Sequence, residues 1–153
     1  MKIHYYDGTE RVVNIIDQEV PFPDGRLIVS RTDTQGVLTH YNQSFIDMSG
    51  YSAEELKGKN HYILRHPDMP AAAFKDLWDT IQQGKKWQGY VKNLRKDGLY
   101  YWVYAVVIPN IREGEIVGYT SVRRKPSRKK INQCISLYAQ MLAKEGRLLC
   151  PTF

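Results

Sequence analysis

LIVSRTDTQGVLTHYNQSFIDMSGYSAEELKG, residues 27–58, is the stretch whose reading decides the fold. Leu27 to Thr32 is apolar and β-branched, Asp33-Thr34-Gln35-Gly36 is a turn, and Val37 to Tyr41 alternates again, which is the pattern of a β-hairpin. Asn42 then stands where a helix cap is wanted, before Phe45 and Ile46, and Gly50 stops that helix. Ser52 and Glu55 have capping-box spacing for one further helical turn, ended at Gly58.

Outward from this stretch the same signals repeat. Residues 60–70 are irregular, and Pro70 suits the first position of a helix whose apolar residues Phe74, Leu77, Trp78 and Ile81 recur at helical spacing before Gly84. Trp87 to Arg95, the Lys96-Asp97-Gly98 turn and Leu99 to Ile108 form a second hairpin rich in Tyr, Trp and Val. Its second strand is nearly all apolar or aromatic, so it is expected to be central and covered on both faces. Pro109 and Arg112-Glu113-Gly114-Glu115 lead to a last strand, Ile116 to Arg123. After Pro126, the residues Ile131, Ile135, Tyr138, Met141 and Leu142 form a helical stripe. Residues 1–26, with Tyr5, Tyr6, Val12, Val13, Ile15 and Ile16 scattered before the Pro21-Phe22-Pro23-Asp24-Gly25 turn, read as an N-terminal cap.

The order β-β, short helices, β-β-β, terminal helix indicates an α+β domain on an antiparallel sheet. The helices are expected to cover one face and to leave a cavity above the sheet, a natural place for a buried flat ligand. The expected divisions are a cap over residues 1–26, a sensor-sized domain over 27–124, and a basic linker with a helix over 125–153.

At 153 residues, with 42% hydrophobic and 25% charged residues, the chain has the composition of one ordinary globular domain. Cys134 and Cys150 are too few for a secreted disulfide framework or a zinc site, which points to a reducing, cytoplasmic setting. No window approaches the roughly 18 apolar residues of a membrane span. The 22 Lys+Arg against 16 Asp+Glu give +6, and six of the basic residues lie in RRKPSRKK, residues 123–130. A nucleic-acid binder would spread such charge over a folded face, so none is expected; this is a basic junction suited to an acidic partner surface, or to a solvated linker.

Asp33-Thr34-Gln35-Gly36, Asn42-x-x-Phe45 and Gly50-Tyr51-Ser52-x-x-Glu55-Leu56-x-Gly58 resemble the opening of a PAS sensor domain. Gly84-x-x-Trp87-x-Gly89 and Lys96-Asp97-Gly98-x-x-Tyr101-Trp102 resemble its second half. More specifically, Arg65-His66-Pro67-Asp68-Met69-Pro70, Trp87-x-Gly89-x-Val91-Lys92-Asn93 and Gly118-Tyr119-x-Ser121-Val122-Arg123 are similar to the flavin-binding PAS domain of bacterial aerotaxis receptors. The resemblance implies a five-stranded antiparallel sheet and non-covalently bound FAD, with a HAMP or methyl-accepting signalling module as partner, in cis or in trans. It also implies a homodimer at the cytoplasmic side of the membrane and no enzymatic turnover.

Its candidate residues, Asn93 apart, carry plainer alternatives. Asn93, on an inward strand position, can both donate to and accept from a flavin edge. Asn42 can do the same or merely cap its helix. Arg65 and His66 precede a helix start whose free N–H groups favour an anion such as a pyrophosphate, while Arg65 can equally pair with Asp68, and Asp68 can cap the helix. Trp87 offers a stacking face to adenine or flavin, or is a core aromatic. His61 approaches the flavin or faces solvent. In flavin photoreceptors of the PAS class an Asn-Cys pair forms the light-induced adduct; here Asn60-His61 stands in that place and no cysteine precedes residue 134, so redox change is the expected input. The competing readings are a haem sensor with His61 or His66 as axial ligand, an enzyme, for which no motif is found, and an interaction module with an empty pocket.

Overall fold

A computed structural model describes residues 1–5 and 7–145. Tyr6, Cys150 and the LLCPTF end lie outside the described residues. Seven strands and four α-helices follow in the order β1 (Lys2–His4), β2 (Glu10–Val12), β3 (Ile28–Thr32), β4 (Leu38–Tyr41), α1 (Gln43–Ser49), α2 (Ala53–Leu56), a 3-10 turn (His61–Leu64), α3 (Ala71–Gln82), β5 (Trp87–Leu94), β6 (Tyr100–Arg112), β7 (Glu115–Arg124) and α4 (Arg128–Glu145). The main sheet is antiparallel throughout, in the order β4-β3-β7-β6-β5, and β1-β2 form a separate pair.

Local signals account for most boundaries. The Asn42 side chain accepts from the Phe45 N–H, and Gly50 closes α1 at φ 78°. Ser52 and Glu55 form both halves of the capping box of α2. The strand β6 lies between β7 and β5 and is covered on both faces, as its composition implies. On one face, Tyr101 and Val103 are sealed in a core with Phe45, Leu56, Leu64 and Ile81. On the other, Trp102 stacks on Tyr138 of α4, with centroids 6.1 Å apart.

That contact corrects one expectation. The helices do not all lie on one face: α1 to α3 cover the front, and α4 crosses the back, where the Tyr138 hydroxyl donates to the Tyr90 carbonyl at 2.7 Å. Its packed stripe is Ile131, Cys134, Tyr138, Met141 and Leu142, while Ile135 is 48% exposed. The stripe expected from hydropathy therefore stands at Ile131, Tyr138, Met141 and Leu142, with Cys134 in place of Ile135, and Tyr138 sets it against the back-face aromatic Trp102.

The N-terminal residues pack as a cap. Ile3 and Val13 meet Leu94 in a small second core, and the Ile16 N–H donates to the Gly98 carbonyl at 2.9 Å. Arg11 reaches across to the Ile63 and Arg95 carbonyls, at 2.8 Å each. The cap therefore clamps both the 3-10 turn and the β5-β6 turn.

Candidate functional site

Between the sheet and α3 lies a cavity of about 320 Å³, near the lower end for small-molecule sites. Its existence follows from side-chain size. The inward positions Ser30, Ala105 and Ser121 are small, whereas Tyr101, Val103 and Phe45 fill the neighbouring volume completely. Phe74, Leu77, Trp78 and Ile81 of α3 form the opposite wall, the same four residues whose spacing predicts the helix. The 3-10 segment adds His61, Leu64 and Arg65, and the exposed Thr34, Gln35, Asp79 and Gln82 surround the mouth.

Three residues expected from the sequence meet here: Asn93, Arg65 and His61. Asn93 is 3% exposed on β5, forms an antiparallel bridge with Arg65, and shares a side-chain hydrogen bond with Tyr101. Burial pushes the Tyr101 phenol up to about 12, so it stays neutral. Arg65 is 4% exposed, with its guanidinium 4.0 Å over the Phe74 ring.

Four others lie elsewhere. Asn42 is a cap: its carbonyl oxygen accepts from Phe45 and Val29 and its amide donates to Leu27, which engages both ends of the group away from the cavity lining. Trp87 is buried at the start of β5 with its indole N–H on Asp76 at 2.9 Å and is absent from the cavity wall; the aromatics presented there include Phe74, Trp78 and Tyr119, the last two edge-to-face. His66 points to Tyr100, and its Nδ1 accepts from the Asp68 N–H at 3.0 Å. Asp68 binds Lys92 at 2.8 Å, pinning the Arg65 segment to β5. Asp68 does not cap α3. Nor is the start of α3 open to a phosphate, because Glu145 of α4 already accepts from Ala71 and Ala72 at 2.9 and 3.0 Å.

The sequence reading passes over Arg123, which it counts with the exposed basic run. Alternation along β7 turns it inward with Tyr119 and Ser121, and it is 3% exposed. Its Nη2 donates to Ser30 Oγ and to His61 Nε2, both at 2.7 Å. Since arginine only donates, Nε2 must accept and the imidazole proton sits on Nδ1. Loss of solvent and the facing guanidinium hold His61 down to about 3, so the ring is neutral. Burial also lowers Arg123, to about 10, which leaves it charged at neutral pH. Of the remaining basic run, Lys125 pairs with Asp24 and Arg128 with Glu19, both acids of the N-terminal segment.

The cavity thus combines an apolar aromatic slot, one buried amide and two buried guanidinium groups on opposite sides: Arg65 beside β5 and Arg123 beside β3. It suits a flat, partly apolar, electron-rich ligand. For haem the histidines are ill placed, since His66 is outside and His61 Nε2 is engaged by Arg123. Among the described residues no cluster of three or more His, Cys, Asp or Glu could hold a metal ion, and no helix is long and apolar enough to cross a membrane.

A family profile described as "PAS fold" matches residues 38–123. The aerotaxis receptor of Escherichia coli is 43% identical over 129 residues, 84% of this chain and 26% of that protein. The nitrogen fixation regulatory protein of Klebsiella pneumoniae is 29% identical over 97 residues, 63% of this chain and 20% of that protein. The chain therefore spans about a quarter or less of the length of these curated relatives. Among solved structures, the light state of the blue-light photoreceptor Aureochrome1 LOV superimposes with a TM-score of 0.62 at 24% identity, covering 79% of this chain and 91% of that one, which shows the same fold.

Proposed function

This chain belongs to the PAS-fold family, and on that premise we propose that it is a redox sensor domain that binds FAD non-covalently and reports the flavin's state to a chemotaxis signalling partner. The observation that carries the reading is the cavity: a slot walled by Phe74, Trp78 and Tyr119 that ends on the amide of Asn93 and on two buried cations. The likeness to an aerotaxis receptor supports it independently.

The residues present fit a flavin. Asn93 can donate to a ring carbonyl and accept from the ring imide, Trp78 and Phe74 supply the stacking wall, and Arg65 and Arg123 supply positive charge. The dinucleotide remainder exceeds the cavity and would run out at the mouth by Gln35 and Gln82. When bound, the cofactor would supply a reversible change of charge and hydrogen bonding at its ring nitrogens. His61, Ser30 and Arg123 form a connected polar set that would respond to that change, and the 3-10 turn that carries His61 is gripped by the N-terminal cap. A two-state shift of cap and tail would then carry the signal. The partner is a HAMP or methyl-accepting module in cis or in trans, met by a homodimer of this domain on the cytoplasmic side. The basic junction left exposed at Arg124, Lys129 and Lys130 would meet its acidic face.

The visible spectrum of the purified protein, oxidised and after dithionite, tests the cofactor, and mass spectrometry of the acid-released ligand separates FAD from FMN. A bleachable flavin band with FAD in the extract is expected. A colourless protein after expression with flavin present, or a Soret band, overturns the reading.

A further inference from the structure

Arg123 is a buried cation whose local surroundings hold no anion. Its guanidinium carbon lies 5.3 Å from the Phe45 ring centroid, its Nη2 is spent on two neutral acceptors, Ser30 and His61, and its buried Nη1 has no hydrogen-bond partner. Among the described residues it forms no ion pair, whereas Lys125 and Arg128 a few positions on are both neutralised. Tyr101, an ionisable group that acts on it electrostatically, is held in its neutral form by burial. An uncompensated charge in low dielectric is strongly disfavoured unless something of opposite sign arrives. Because Arg123 lines the cavity, a compensating negative charge can come from the occupant.

We propose that Arg123 is the anion-stabilising contact of the cavity and the residue that sets the redox preference of its occupant, resting on the flavin reading above. A fixed positive charge favours whichever state of the ligand is more negative. For a flavin that takes two electrons from an external reductant such as dithionite and one proton from solvent, the reduced state carries one negative charge more than the oxidised one. The neutral His61 matters here, because it orients the guanidinium without sharing or cancelling its charge. Arg65, on the opposite side of the cavity beside β5 and stacked on Phe74, supports binding in both states.

The test is the midpoint potential of bound flavin in the wild type, Arg123→Gln and Arg123→Lys, by dithionite titration against a reference dye. Arg123→Gln is expected to favour the oxidised state by tenfold or more, about 30 mV downward for a two-electron couple, while Arg123→Lys stays within a few-fold of wild type. If Arg123→Gln holds flavin too weakly for potentiometry, the ratio of its dissociation constants for oxidised and reduced flavin, by fluorescence, reports the same quantity. An unchanged potential or ratio in a flavin-loaded Arg123→Gln protein overturns this assignment alone. A wild type that takes up flavin in neither state overturns the flavin reading and this inference together.

Discussion

The carboxylate of Glu145 accepts the backbone N–H of Ala71, 74 residues earlier in the chain, so the end of the tail helix caps the helix that walls the cavity. Pro70 at the N-cap offers no side-chain acceptor of its own, and Ala72 donates to the second oxygen of the same carboxylate. The front and back layers of the domain are joined at this point.

Replacing Glu145 with Ala should cost about 1 kcal/mol, as for other lost caps. For a chain of this size that is a fall in Tm of about 2–4 °C. Hydrogen exchange at the amides of Ala71 and Ala72 should rise together, and Glu145→Gln should recover part of the loss. Unaltered exchange at both amides in Glu145→Ala would show that the contact does not hold in solution.

Asn42 and Asn93 should separate cleanly. Asn42→Ala removes the α1 cap and its strand contacts, with an expected cost of about 1–2 kcal/mol, yet the folded protein should keep its flavin in wild-type proportion. Asn93→Ala should lower retained flavin at least fivefold while the far-ultraviolet circular dichroism stays that of the wild type. Absorbance ratios after gel filtration decide it; equal retention in both variants would remove Asn93 from the site.

Gly98 joins cap and sheet. It adopts φ +90°, and a Cβ there would stand 1.9 Å from the Asn14 carbonyl oxygen. Gly98→Ala should therefore cost at least about 1–3 kcal/mol for the backbone conformation alone, and the cap must move. Limited proteolysis should then cut within residues 7–20, where the wild type resists.

Stability should decline on mild acidification. Burial first, then the facing Arg123 for His61 and Lys92 for His66, hold the two imidazoles at about 3 and about 4, against an ordinary 6.5. Between about 6.5 and about 4 the unfolded chain therefore binds two protons that the folded one refuses, so stability is lost as pH falls through that window. The limiting slope is about 1.4 kcal/mol per pH unit for each histidine. Urea midpoints at pH 7.5 and 5.5 check this, and His61→Gln with His66→Gln should flatten the dependence. A wild-type midpoint that does not move between those two pH values would rule it out.

The residue pattern alone determined the elements and their order, because the signals for hairpins, caps and helix stops act over a few neighbouring residues. Asn42, Ser52 with Glu55, and the Phe74-Leu77-Trp78-Ile81 stripe all stand where that local logic puts them. It also singled out Arg65, His61 and Asn93 through resemblance, but it could not tell them from Trp87 or His66, which flank them in the chain and point elsewhere. Trp87 shares the strand parity of Asn93, so that choice depends on what packs over each residue, such as Asp76 of α3 on Trp87 and Tyr100 on His66. Arg123 reads as one more charge in a basic run, yet its partner Ser30 is 93 residues away, and only the pairing of β3 with β7 turns it into the cavity. The closing of α3 by Glu145 and the placement of α4 on the back of the sheet are likewise contacts between distant residues. They are fixed by which surfaces the folded sheet leaves uncovered, a property of the assembled layers that no short window of the chain contains.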